Sequence, residues 1–166
     1  MRDGGGATKL HFERSDNVLA RAEAVRLDHR DRLADIAGDA DLRLTGGSST
    51  PGLLTSGDID LHLRVPPDRF EAVVGELHGR YAVVHPEIWS SSLATFAAAD
   101  DPLVGLAVTP IGSEHDRRFA LAWDRLRTDA DARDAYNEMK REHLGGDLSD
   151  YLREKARFFD LLASEQ

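Results

Sequence analysis

The sequence predicts an α+β fold on three observations: a helix-period pattern near the start, five strand-like runs interrupted by one short helical segment, and purely helical text after Glu114. Residues 1–14, rich in glycine, read as a flexible N-terminus, 15–113 as an α+β core, and 114–166 as a helical part packed on that core. The chain is long enough, at 166 residues, to bury a sizeable interior.

The elements follow in order. Ser15 or Asp16 is placed to cap a helix running to about Ala37, with Val18, Leu19, Ala22, Val25, Leu33 and Ile36 roughly on one face and Gly38 ending it. "DLRL" is a short strand leading into a glycine-serine loop. "DIDLHLRV" alternates without a fault: Ile59, Leu61, Leu63 and Val65 share one face, and Asp58, Asp60, His62 and Arg64 the other. Pro66-Pro67 closes it, and Asp68 with Glu71 reads as a capping box for the helix "RFEAVVGELHG". "YAVV", "IWSSSLATFAAA" and "LVGLAVTP" read as three further strands. "EHDRRFALAWDRLR", "DADARDAYNEMKREHL" and "SDYLREKARFFDLLASE" read as three helices, with a break at Gly145-Gly146.

Composition narrows the function classes. A net charge of -9 argues against tight nonspecific binding to nucleic acid or to an anionic membrane, since both need surplus Lys and Arg. A small anionic ligand is still allowed if a divalent cation supplies positive charge locally. With no cysteine, thiolate catalysis and thiolate-ligated metals are excluded. No apolar run reaches membrane-spanning length and the first residues lack a signal peptide's apolar core, so the expected location is cytoplasmic.

The chemistry concentrates between Gly46 and Asp60. Gly46-Gly47-Ser48-Ser49 would let backbone N–H groups approach a phosphate without a Cβ in the way, and a serine hydroxyl adds a donor. Alone it is an ordinary glycine-serine loop. Asp58 and Asp60, two apart on a strand, point the same way, and a magnesium ion between them would relieve their repulsion. Alone they are a solvated strand face. Together they are what nucleoside triphosphate chemistry needs: a turn for phosphate followed at short range by two metal carboxylates. The seven histidines are scattered, and only His62 lies near the acids, as a neighbour or a general base. Trp89, Trp123, Phe158 and Phe159 read as core residues before nucleobase platforms.

"GGSSTPGLLTSGDID" resembles the GrpB-like family of the nucleotidyltransferase superfamily related to DNA polymerase beta, with its glycine-serine start, Pro-Gly and Asp-hydrophobic-Asp strand. "RFALAWDRLRTDADARDAYNEMKREHLGGDLSDYLREKARFF" is similar to that family's tail, so the resemblance covers about Leu42 to Phe159. It implies a small mixed β-sheet of the nucleotidyltransferase fold, Mg2+ or Mn2+ at Asp58 and Asp60, and a nucleoside triphosphate held near Gly47, Ser48 and Ser49. The expected reaction transfers a nucleoside monophosphate to an unidentified small-molecule acceptor and releases pyrophosphate.

Two of only three lysines sit as Tyr136…Lys140 and Tyr151…Lys155, each pair on one helix face. The resemblance implies that the tail folds over the sheet, so Lys155, ahead of Lys140, is the expected partner of the triphosphate, with Tyr151 and Arg64 beside it. Two departures stand out. "LVGLAVT" carries neither the superfamily's third carboxylate nor the histidine often found there, leaving Glu87 or Asp100 as substitutes. The spacing to Pro51-Gly52 is one residue short. The rival expectation is a catalytically inactive protein of this fold, serving as a nucleotide sensor or protein-interaction module.

Overall fold

The computed structural model describes residues 11–164. Its main sheet has five strands in the order β2 (Asp41–Thr45), β4 (Ile59–Val65), β7 (Val104–Pro110), β6 (Ala94–Ala98) and β5 (Tyr81–Val83). Only the β4–β7 pair is parallel, so the sheet is mixed, as expected. A two-stranded antiparallel ribbon, β1 (Glu13–Arg14) with β3 (Leu54–Thr55), escaped the sequence reading because two-residue strands have no period to detect. The flexible, glycine-rich start expected over residues 1–14 falls mostly on residues 1–10, outside the described residues.

Helices α1 (Leu19–Ala37) and α2 (Phe70–Leu77) cover one face of the sheet. There Ile59, Leu61, Leu63 and Val65 are each about fully buried against Leu33, Ile36, Val73 and Leu77. Burying each of these four strand side chains contributes about 1.5–3 kcal/mol, which pins the register, because a one-residue slip would turn them to the other face. Gly38 ends α1 at φ 62°, a conformation that favours glycine.

Three local expectations need correction. Helix α1 starts at Leu19 without a side-chain cap, because Ser15 is engaged elsewhere: its hydroxyl donates to Thr50 O (2.6 Å) and accepts from Leu53 N–H (3.1 Å). The Asp68–Glu71 capping box does not form. Pro67–Arg69 is a 3-10 turn closed by Arg69 N–H to Pro66 O (2.9 Å), and α2 begins after it. The strand expected from Ile88 shortens to β6, since Pro86–Ile88 makes another 3-10 turn and Ser90 N–H bonds to Leu93 O (3.0 Å).

The tail is three helices, α3 (Glu114–Thr128), α4 (Ala130–Glu142) and α5 (Leu148–Ser164), with Gly145 and Gly146 in the break before α5. They pack around a second core of Trp123, Leu126, Tyr136, Tyr151 and Leu162, into which Leu53 of the loop after β2 inserts. Trp123 and the Phe158–Phe159 pair are therefore core, as read from the sequence. The polar face of β4 is thus not solvated but lies against this helical layer. None of the described helices is long and apolar enough to cross a membrane.

Candidate functional site

The loop that leaves β2 turns sharply at Gly46, φ 75°. A Cβ there would collide with the Asp60 carboxylate, and one at Gly47 would stand 2.5 Å from Leu54 O and 2.6 Å from Lys140 Nζ. The two glycines are needed because an acid and a lysine pack directly on the backbone, a reason the sequence alone did not supply. Their N–H groups, and that of Ser48, differ in role from the serine hydroxyls. The N–H groups of Gly47 and Ser48 enter none of the described backbone hydrogen bonds outside helices and strands.

The serine hydroxyls are committed. Ser48 is wholly buried and donates to Asp58 O (2.6 Å), with Thr55 Oγ1 at 2.7 Å. Ser49 Oγ donates to Gly46 O (2.7 Å). Both hydroxyl protons are taken by carbonyls, whereas the sequence reading had a serine hydroxyl donating to a phosphate. Ser48 instead fixes the strand start at Asp58 relative to the turn. Ser48→Ala is accordingly expected to lower stability by about 1–3 kcal/mol, because it strands the Asp58 carbonyl. Urea unfolding reads this directly, and an unchanged midpoint would refute the clamp.

Asp58 is exposed just before β4, and Asp60 lies half-buried on the strand, paired with Gly105 of β7. The Asp60 carboxylate sits between Gly46 and Gly105, where a Cβ on Gly105 would be 3.1 Å from Oδ1. Among the described residues no side chain hydrogen-bonds or ion-pairs with it. Burial pushes its pKa up, Lys155 and Lys140 oppose this, and neighbouring Asp58 adds to it. Both acids open on one cavity of about 300 Å³. Among the described residues no cluster of three metal-ligating side chains forms, so a cation here would take its remaining ligands from substrate or water. The donor set fits magnesium or manganese: two hard carboxylate oxygens, one of them in an acid without a direct hydrogen bond or ion pair among the described residues.

Across Asp60 lies a second cavity of about 270 Å³, between the sheet and the tail, lined by Thr45, His62, Phe119, Trp123, Lys155 and Phe159 among others. Lys155 thus reaches the carboxylate site from α5, and no carboxylate pairs with it among the described residues. Its Nζ stands 5.9 Å from the Tyr151 ring, and Lys140 Nζ stands 4.4 Å from the Tyr136 ring, as the four-residue spacing implied. Lys140 is buried and donates to Leu54 O; burial, then Lys155, pull its pKa down to about 7 against the pull of Asp60 and Asp58. Tyr151 is buried too, with burial pushing its phenol up to about 12. Asn137, unmarked in the sequence reading, accepts from Leu54 N–H (2.9 Å) and donates to Gly52 O (2.7 Å), so α4 braces the loop with two groups.

Arg64, Asp100 and Glu87 are placed elsewhere, while His62 lines the second cavity but is engaged by Thr109. Arg64 forms a two-pronged pair with Asp116 (2.6 and 2.9 Å) and also binds Asp41 (3.1 Å), at the far end of β4 from Asp60, so its guanidinium is engaged away from the turn. Burial alone would raise the Asp116 carboxyl, but Arg64 and the Gly112 N–H draw it down to about 2. His62 is buried and held neutral, its pKa lowered to about 4 chiefly by burial. Thr109 Oγ1 gives its proton to Asp116 and so accepts from His62 Nε2 (2.8 Å). Asp100 is tied to Arg32 of α1 (3.0 Å), away from the paired acids, and Glu87 lies beside His85 (3.3 Å). Neither completes a third carboxylate. The Asp116 clamp had a readable signal: Ser113 caps α3 through Asp116 N–H (3.3 Å), the S-x-x-D pattern of a helix start.

Residues 16–165 match the family model described as GrpB protein. The crystal structure of the conserved protein GrpB from Enterococcus faecalis superposes with a TM-score of 0.72 at 13% identity, covering 93% of this chain and 96% of that one. Cid1, described with RNA terminal uridylyl transferase activity, overlaps at a TM-score of 0.48 and 16% identity, covering 74% of this chain and 40% of its own. The GLD-2/RNP-8 complex gives 0.47 at 15% identity, covering 73% of this chain and 46% of its own. This chain therefore spans less than half the length of those two proteins. At 13% identity the likeness to the Enterococcus faecalis structure speaks to fold alone. No curated protein matches the sequence.

Proposed function

The chain belongs to the GrpB family, and from that premise we propose that it is a magnesium- or manganese-dependent nucleotidyltransferase. The observation that carries this reading is the pair Asp58 and Asp60: both open on one cavity, and the Asp60 carboxylate has no protein partner among the described residues. An acid kept in that state costs stability, and a cation is the group that offsets it. The N–H groups of Gly47 and Ser48, with Ser49 shaping the turn, would bind the outer phosphates of a nucleoside triphosphate. Lys155, from the opposite side of Asp60, and Lys140 behind Gly47 would balance the phosphate charge, and Tyr151 would hold the Lys155 stem in place.

A bound divalent cation would supply Lewis acidity and positive charge at the reacting phosphate. Asp58 and Asp60 would fix the geometry of that phosphate relative to the turn. An acceptor hydroxyl, carboxylate or amine then attacks the α-phosphorus in line. As that bond forms, the bond to the bridging oxygen breaks, and pyrophosphate leaves with the electron pair beside Lys155.

A specific observation favours a second reading, a nucleotide sensor without turnover. The residue paired with Asp60 on β7 is Gly105, whose partner on β6 is Ala97, and the partner of Asp60 on β2 is Thr45, so none of these strands supplies a third acid at that level. Thermal shifts with ATP, GTP, CTP and UTP, each with and without magnesium or manganese, test the common premise. Stabilisation is expected only with nucleotide and metal together, about 2.7 kcal/mol at a hundred times Kd. No shift in any combination removes both readings, while a shift without pyrophosphate release selects the sensor.

A further inference from the structure

The two cavities that meet at Asp60 differ in charge. The one towards the tail contains Lys155. The other, of about 300 Å³, is lined by both acids and by Val84, His85, Thr95 and Leu103 among others, and no lysine or arginine lines it. With the proposed cation taken up by the two acids and the triphosphate, a phosphate or carboxylate on the acceptor would need a further positive group that this lining does not supply. An uncharged or cationic group would not. Its floor is kept open by small residues, because Asp60 faces Gly105 across β4–β7 and Gly105 faces Ala97 across β7–β6.

His85 reaches this cavity from the end of β5, the strand at the opposite edge of the sheet. β5 lies three strand spacings from β4, about 14 Å between backbones, and the acceptor and reacting phosphate would sit between His85 and the acids. His85 is the one non-glycine residue among those described with a positive φ, 49°. Its backbone is pinned there: Val84 N–H donates to Thr95 O (3.2 Å), Thr95 Oγ1 donates to Val84 O (2.5 Å), and Ile88 N–H donates to His85 O (3.1 Å). A strained conformation persists only where surrounding bonds over-determine it. Glu87 Oε1 lies 3.3 Å from His85 Nδ1. With Nδ1–H donating to Glu87, the Nε2 lone pair is left free to accept a proton.

We propose that this cavity holds the acceptor, that the acceptor is a compact alcohol or amine carrying no phosphate or carboxylate, and that His85 takes the proton its nucleophilic group loses. The inference rests on the nucleotidyltransferase reading above. The acceptor oxygen or nitrogen forms its bond to the α-phosphorus, pyrophosphate leaves with the electrons of the bridging bond, and the proton passes to His85 Nε2. His85, with Glu87 orienting it, fills the place that the missing third carboxylate leaves in the chemistry.

The test uses the full chain with magnesium and each nucleotide, reading pyrophosphate release. Glycerol, ethanolamine and benzyl alcohol serve as acceptor probes, against glycerol 3-phosphate and a short RNA. The alcohols and the amine are expected to stimulate release at least about 10-fold more than the anionic probes. In His85→Gly, which keeps the backbone conformation, kcat is expected to fall about 100-fold or more, with nucleotide-dependent thermal shift unchanged and added imidazole restoring part of the rate. His85→Asn, which also tolerates positive φ, should behave like the glycine variant without rescue. Release in either variant within about 2-fold of wild type, or a preference for the phosphorylated or RNA probe, overturns the inference alone. No release with any probe is the failure of the transferase reading itself.

Discussion

Asp60→Asn is expected to lower pyrophosphate release by at least about 10³-fold while making the nucleotide-free protein more stable. The two effects have one cause. Asp60 carries a charge between the Gly46 and Gly105 backbones, and among the described residues it has no direct hydrogen bond or ion pair, only the longer-range pull of Lys155 and Lys140. Because burial raises its pKa, the folded chain holds that proton more tightly than the unfolded chain does. Wild-type stability should therefore fall as pH climbs from about 3.8, the ordinary carboxyl value, through the raised folded value, and the loss is complete above it. Asn keeps the shape and removes the charge, so the variant should not show that fall. Its melting temperature at pH 7–8 should rise by about 2–4 °C for each kcal/mol regained. Scanning calorimetry across pH, with and without magnesium, checks this. Magnesium should stabilise the wild type and leave the variant unmoved. A variant that is less stable than wild type at pH 8 would mean the carboxylate has a structural partner, and a variant that still turns over would remove Asp60 from the chemistry.

Much of this was legible in the chain. The unbroken alternation from Asp58 to Val65 placed the strand, its buried face and the two acids, since a period of two determines which side each residue takes. The tail helices were legible from their own 3.6-residue period, and so were the lysine–tyrosine pairs four apart on their faces. What escaped was tertiary. Arg64 shares a face with Asp60 and looked equally available, but nothing local reveals that Asp116, some fifty residues on, would take its guanidinium. Ser48 had the residue type of a phosphate donor, yet its hydroxyl is spent on Asp58 O, a bond that depends on how the loop folds back. The capping box at Asp68 failed because Pro66 and Pro67 start a tighter turn first. His85 carried no motif at all; its interest arises from a positive φ and a shared cavity, both invisible before folding.

Lys140→Met should flatten the alkaline rise in stability that the wild type is expected to show. Lys140 is the buried lysine beneath the Gly47 turn, and burial holds its pKa near 7 in the folded chain against an ordinary 10.5. Between those values the unfolded chain binds the extra proton, so wild-type stability should rise with pH from about 7 to 10.5, by an amount on the order of 5 kcal/mol. Below pH 7 both states are protonated and the burial cost is fully present. The methionine variant has no such proton, so its stability should be level over that window, and it should exceed wild type most clearly near pH 6. The gain there is reduced by about 1–3 kcal/mol because Leu54 O loses its donor. Urea midpoints from pH 6 to 10 measure both. The same residue links stability to ligand: a triphosphate at the turn brings negative charge beside Lys140, which favours the ammonium. Nucleotide binding at pH 8 should then take up protons in the wild type, visible as a calorimetric enthalpy that changes with the buffer, and this uptake should vanish in the variant. If uptake persists without Lys140, the anion lies away from Gly47, and the turn is not where the phosphates bind.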